Sequence, residues 1–230
     1  MVPMRQQRTY TELSAEVGVP ADGGVLPGFL DLPAEPGGVV LFAHGSGSSR
    51  FSRRNRYVAE MLRSGGIGTL LFDLLSADEQ RVDERTAEHR FDIPLLTRRL
   101  VQAIDWTRGD PRTAALPIGL FGASTGAAAA LGAAAARPRE VQAVVSRGGR
   151  PDLAVDVLGD VRQPTLFIVG ALDDTVLDLN RRAAARMPVT PRIEVVGGAT
   201  HLFEETGKLE LVAMLARDWF MAHLKVEVTR

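Results

Sequence analysis

At 230 residues with 45% apolar and 24% charged side chains, the chain fits one domain, 1–230, with a sizeable core; no internal repeat or low-complexity linker interrupts it. A formal net charge of −1 gives no electrostatic reason to expect a nucleic acid or an anionic membrane as partner. The absence of cysteine excludes disulfides, thiolate metal sites and a thiol nucleophile together.

Residues 1–17 carry Arg5, Arg8, Glu12 and Glu16 where a secretory leader would have an apolar core, so a cytoplasmic location is expected. A pair of strands is predicted near 13–19 and 24–30. A third, 39–43, runs into His44-Gly45-Ser46-Gly47-Ser48, and a helix follows at 54–63. The strand at 69–73 leads into a charged stretch, 74–92, rich in Glu, Arg and Asp and without a strong period. Two readings of it stand side by side: a solvated connection with a helical turn, or a loop that shapes the substrate site. A helix at 95–107 and a strand at 118–121 come next, then an alanine-rich helix at 125–136, too short to span a bilayer. Strands at 141–145, 165–169 and 193–196 alternate with helices at 179–187 and 209–223. Such alternation implies a mainly parallel sheet covered on both faces.

Between the strand at 118–121 and the alanine-rich helix stands Gly122-Ala123-Ser124-Thr125-Gly126. Small residues two before and two after a serine permit the sharp strand-to-helix turn of a nucleophile elbow. A hydroxyl needs a base to take its proton, and the base needs a third group to orient it. Downstream, Gly170-Ala171-Leu172-Asp173-Asp174 and Gly198-Ala199-Thr200-His201 each leave a strand-like run. Ser124, an aspartate and His201 would thus project from one edge of a parallel sheet, where open α/β folds place their ligands.

These pieces, with His44-Gly45-Ser46-Gly47-Ser48 after the third strand, resemble the α/β-hydrolase superfamily, and within it the dienelactone-hydrolase-like small hydrolases. The resemblance runs over roughly 38–224. It implies an α/β-hydrolase fold with helices on both faces and no large cap domain, since 149–163 holds no long insertion. It also implies Ser124 as nucleophile, His201 as general base and acid, and Asp173 as the orienting carboxylate. Asp174 is the rival for that last role, with helix capping the other use of the pair. The oxyanion hole is expected from the backbone N–H groups of Ser46 and Thr125. Dienelactone hydrolases proper use a cysteine nucleophile, which this chain lacks, so their lactone substrate does not carry over.

His44, next to Gly45, is read as a brace for its loop, and His89 and His223 receive no catalytic role. His223, near the end of the last helix, occupies a place that favours positive charge. Met187, Met214 and Met221 read as core fillers. Arg147, and after it Arg150, sit at a strand's carboxyl edge, where an arginine either grips a substrate carboxylate or holds the loop. No spacing of His or acids suggests a metal, and no cofactor is expected. The reading is a serine hydrolase of small to medium carboxylic esters, thioesters or lactones acting through an acyl-enzyme. Two rivals remain: a non-catalytic ligand-binding protein on the same fold, and dinucleotide binding. The latter rests on Gly45-Ser46-Gly47-Ser48-Ser49-Arg50 with Asp73 ending the next strand, a partial fingerprint with Arg50 where the third glycine belongs.

Overall fold

The computed structural model describes residues 12–22 and 24–225, so most of 1–17, on which the expected location rests, lies outside the described residues. The described residues include eight strands: β1 (Leu13–Ala21), β2 (Gly24–Leu32), β3 (Val39–Ala43), β4 (Gly68–Phe72), β5 (Ile118–Ala123), β6 (Val141–Arg147), β7 (Thr165–Gly170) and β8 (Arg192–Val196). They form one sheet in the order β1-β2-β4-β3-β5-β6-β7-β8. β2 pairs antiparallel with β1 and β4, and every other pairing is parallel. The order turns about β3: the chain goes from it to β4 on one side and reaches β5 on the other. The carboxyl ends of β3 and β5 therefore flank a crevice of the kind that holds ligands in open α/β sheets.

Every residue of β3, β4, β5 and β7 is buried, as parallel strands covered on both faces require. Alternation along β3 sends Val39, Leu41 and Ala43 to one core and Val40 and Phe42 to the other. The first core lies under α3 (Ile93–Gly109), α4 (Thr125–Ala136) and a 3-10 helix at Pro151–Asp160; the second lies under α1 (Arg53–Ser64) and α6 (Lys208–His223). α5 (Asp174–Ala184) packs against β7 and the 3-10 helix. α4 is buried continuously from Thr125 to Ala134. With Ala and Gly at nearly all of these positions, α3 and the 3-10 helix can close on it from both sides. Among the described residues, no helix is long and apolar enough to cross a membrane.

The charged stretch after β4 contains α2 (Ala77–Thr86), an element with no apolar face and a single buried residue, Asp83. Its start is fixed by a capping box: Ser76 Oγ accepts from Glu79 N–H, and the Glu79 carboxylate accepts from Ser76 N–H. Arg99 of α3 ties it down through Glu79 at 2.6 Å. Asp83, with its side chain 1% exposed, accepts from the N–H groups of His89 and Arg90 and from Arg90 Nε, at 2.9, 2.8 and 2.8 Å. Burial pushes the Asp83 carboxyl up, but these donors and the Arg90 charge outweigh it and hold the group below its ordinary value.

A depressed folded value means that the stability Asp83 contributes is complete above the ordinary carboxylate range and is lost as pH falls through the folded value. The urea midpoint between pH 7 and 3 should therefore fall more steeply for the wild type than for Asp83→Asn. That variant should lose about 2–3 kcal/mol at neutral pH. Parallel curves would remove Asp83 from the acid response.

Two readings of α6 are corrected. Its buried residues are Val212, Ala213, Ala216 and Phe220, so Met214 and Met221 fall on the opposite side and are 40% and 55% exposed; Met187 is a core residue, as expected. His223 packs on Trp219, with ring centroids 4.2 Å apart, and burial, followed by the Lys225 charge, lowers its pKa rather than favouring the cation.

Candidate active site

Ser124 stands between β5 and α4 with φ 50° and ψ −120°, a backbone state that a non-glycine residue holds only when its surroundings enforce it. Those surroundings are backbone. Ser124 N–H donates to Arg147 O and Ser124 O accepts from Arg150 N–H, both at 3.1 Å, so the exit of β6 clasps the turn. A Cβ on Gly122 would lie 2.4 Å from Ala127 Cα, and one on Gly126 2.2 Å from Ala43 O. The two small residues of the pentapeptide are thus close-approach points between β3, β5 and the first turn of α4.

Asp173 leaves β7 and takes the N-cap position of α5, yet its side chain makes no capping bond. Instead, Asp173 Oδ2 is 2.6 Å from His201 Nδ1. Asp174 is the first residue of α5, where a carboxylate meets the positive end of the helix. His201 lies on the loop after β8. Together with Ser124 it lines a cavity of about 210 Å³. No hydrogen bond joins Ser124 Oγ to His201 among the described residues. Such contacts often tighten only when substrate arrives.

The loop after β3 lies against the elbow: a Cβ on Gly45 would sit 3.2 Å from both Ser124 Cβ and Ala123 O. Ser46 lines the cavity with Ser124. Thr125 opens α4, so its N–H has no acceptor within the helix. The loop is held at both ends by the exit of β4. His44 Nε2 accepts from Leu74 N–H at 3.1 Å, which puts the ring proton on Nδ1, where it donates to Gly45 O at 3.0 Å. Asp73 accepts from Arg50 N–H at 2.6 Å and pairs with the Arg50 guanidinium, which also lies 4.3 Å from the Phe51 ring centre. Asp73, the acid a dinucleotide ribose would need, is thereby occupied by Arg50.

Burial lowers the His44 pKa, against the Gly45 hydrogen bond and the Asp73 charge, which raise it. A His whose folded value is depressed contributes stability that is complete above its unfolded value of about 6.5 and declines as pH falls below that. Because the imidazole joins the loop after β3 to Leu74, His44→Ala should lower kcat about 10²-fold with a smaller change in KM. An unchanged kcat in steady-state ester kinetics would show that the loop holds itself without the brace.

The two arginines at the exit of β6, Arg147 ending the strand and Arg150 in the loop beyond it, part ways. Arg150 forms a bidentate pair with Asp152, at 2.9 and 2.8 Å, and so holds its own loop. Arg147, 7% exposed, lines the cavity with Ser124, and its Nε and Nη1 have no hydrogen-bond partner. Burial first, and then the Arg54 charge, push it down to about 10. No residue between 74 and 92 lines this cavity; that segment packs behind the loop after β3, around a void of about 10 Å³.

Some residues of the site have no local signature. Gly148 has φ +50°, and a Cβ there would lie 3.4 Å from His201 Cε1 and Nδ1, so its bareness gives the imidazole room. Phe203, with φ 57°, is 1% exposed and anchors the loop that carries His201. Asn55 of α1 is buried in the cavity wall. Gly148 lies between the two arginines named from the sequence, Arg147 and Arg150, while Phe203 and Asn55 are placed by tertiary packing.

The strand order and the elbow, with no cap domain among the described residues, define an α/β-hydrolase fold. No protein-family model matches the chain. The crystal structure of a dienelactone hydrolase from Anabaena variabilis is 51% identical, with a TM-score of 0.91 over 94% of this chain and 100% of that one. On this likeness the chain belongs to the dienelactone hydrolase family. An α/β serine hydrolase without lid from Xanthomonas campestris, 22% identical, covers 94% of this chain and 97% of its own with a TM-score of 0.73, a likeness of fold. Proteins from two strains of Mycobacterium tuberculosis, provisionally named phosphoribosyl transferases, are 57% identical over 209 residues, 91% of this chain. The match takes in 46% of their length, so the chain spans about half of these curated relatives.

Proposed function

We propose that the chain hydrolyses carboxylic esters of small to medium acyl groups through Ser124, His201 and Asp173. The observation that carries this reading is a strained serine at the head of α4 sharing one cavity with a histidine whose other nitrogen is 2.6 Å from a carboxylate. Asp173 holds the proton on His201 Nδ1 and leaves Nε2 free to take the Ser124 proton as Oγ attacks the ester carbonyl. The N–H groups of Ser46 and Thr125 receive the oxyanion, His201 protonates the departing alcohol, and water repeats the cycle on the acyl-enzyme. The same machinery accepts thioesters and lactones, and a cavity of about 210 Å³ favours short acyl groups. The phosphoribosyl transferase name belongs to proteins of which this chain spans under half. We read the matched part as hydrolytic, since phosphoribosyl transfer has no use for an elbow serine with a histidine-aspartate pair.

The test is labelling with a fluorophosphonate probe and peptide mapping, run beside turnover of p-nitrophenyl acetate and butyrate. Turnover with the label on Ser124 is the expected result. A folded sample that leaves both esters intact and Ser124 unlabelled would instead favour a ligand-binding protein on the hydrolase fold.

A further inference from the structure

Arg147 is a charge without a counter-charge. β6 directs Val145 toward the core beneath α1 and α6, and Arg147, two residues on, shares that face. Its side chain makes no hydrogen bond or ion pair among the described residues, although guanidinium donors are seldom buried unpaired. The second cation in the cavity, Arg54, donates to Glu204 at 2.7 Å, but Glu204 is 64% exposed and offsets it only partly. A water could satisfy the unpartnered Asn55 Oδ1 in the same wall, but water brings no charge to Arg147.

The third contribution is the start of α1. Ser52 caps it, Ser52 Oγ accepting from Asn55 N–H at 3.3 Å. The N–H groups of Arg53 and Arg54 lie in the first turn, without intrahelical acceptors. Ser52, Arg54 and Asn55 all line the cavity, and the run from Gly45 to Ser52 that leads into the helix is rich in glycine and serine. A Gly/Ser-rich loop entering a helix amino end is a setting for a tetrahedral anion. This is the motif that imitated a dinucleotide fingerprint, with Asp73 turned away to Arg50.

We propose that this wall is a phosphate subsite, and that the ester hydrolysed at Ser124 carries a phosphate monoester on a short arm that enters between Arg147, Arg54 and the first turn of α1. One unpaired guanidinium, a second half-neutralised one and the roughly half charge of a helix amino end sum to more than one positive charge. That matches a dianion better than a singly charged carboxylate. The phosphate stays intact, since the bond broken is the acyl C–O bond at Ser124. At about 210 Å³ the cavity is smaller than the roughly 300–1,000 Å³ of sites that enclose whole drug-sized ligands, so it takes the phosphate and a few atoms of the arm. The subsite rests on the esterase reading for its substrate but not for its binding.

The experiment is calorimetric titration with inorganic phosphate and, separately, acetate, on the wild type, Arg147→Met, and Arg98→Met as an exposed control on α3. Phosphate should bind the wild type and Arg98→Met alike, at least tenfold more tightly than acetate, and at least tenfold more weakly to Arg147→Met. Without phosphate, Arg147→Met should melt higher than the wild type, because it removes a buried uncompensated charge. A purely structural arginine would give the opposite shift. Should Arg147→Met not fold, Arg54→Met provides the same comparison with a smaller loss of phosphate affinity. Acetate binding as tightly as phosphate, or phosphate binding indifferent to Arg147 or its Arg54 substitute, overturns the proposal. Phosphate should also compete with p-nitrophenyl acetate. If the protein turns over no ester but binds phosphate through Arg147, the esterase reading fails and the subsite stands.

Discussion

Ser124→Ala is expected to lower kcat for a p-nitrophenyl ester by about 10⁶ while leaving the protein folded. Oγ is the only atom lost, and it has no hydrogen-bond partner among the described residues to leave unsatisfied. His201→Ala should cost as much, and adding it to Ser124→Ala should cost little more, because the proposed nucleophile and base would act as a unit. Asp173→Asn should cost about 10⁴, since an amide presents the His201 side with a donor where the tautomer requires an acceptor. Ser124→Gly separates chemistry from strain: it should be as inactive as Ser124→Ala but more stable, because φ 50° suits glycine. Steady-state kinetics with urea denaturation of the four single variants and the double variant make the check. A Ser124→Ala protein with wild-type kcat would put the nucleophile elsewhere.

Gly126→Ala is expected to act on the fold, by weakening it severely, rather than on the chemistry. The added carbon would lie 2.2 Å from Ala43 O and 2.5 Å from His44 O, and neither backbone atom has a flexible end that can swing aside. Relief requires moving α4 off β3, which breaks the packing of both. A cost of about 4 kcal/mol or more is expected, a large share of a total stability of about 5–15 kcal/mol. Gly197→Ala, with nothing within 4 Å of the new carbon, should change stability by about 1 kcal/mol or less. Soluble yield and urea midpoints compare the two. A wild-type midpoint for Gly126→Ala would mean that the elbow tolerates looser packing than these distances allow.

The strands were legible because most are unbroken apolar runs ended by turn residues; β3 and α4 match their predicted bounds. α2 was hidden because an element whose one buried residue is Asp83 leaves no apolar period, and its only local mark is the Ser76 and Glu79 box. α5 was predicted to start at 179, whereas Asp174 begins it. Asp173 takes the cap position but turns to His201, so the usual sign of a helix start is spent on another contact. In the site, the order Ser124, Asp173, His201 and the exits of β5, β7 and β8 were readable from motifs. The burial of Arg147 and Asn55 was not, because it depends on where α1 lands on the sheet. Arg147 and Arg150 look equivalent in sequence; only Asp152, two residues from Arg150, separates them.

The residues assigned to chemistry are distributed unevenly across the sheet. Ser124 rises from β5 in the fully buried centre, whereas His201 follows β8, an outermost strand with Val195 45% exposed. Fraying at that margin would carry the imidazole away while the elbow and most of the core stay intact, since cooperative units open at different free energies within one structure. The site thus depends on an edge strand, and on warming, inactivation should precede the loss of helical signal.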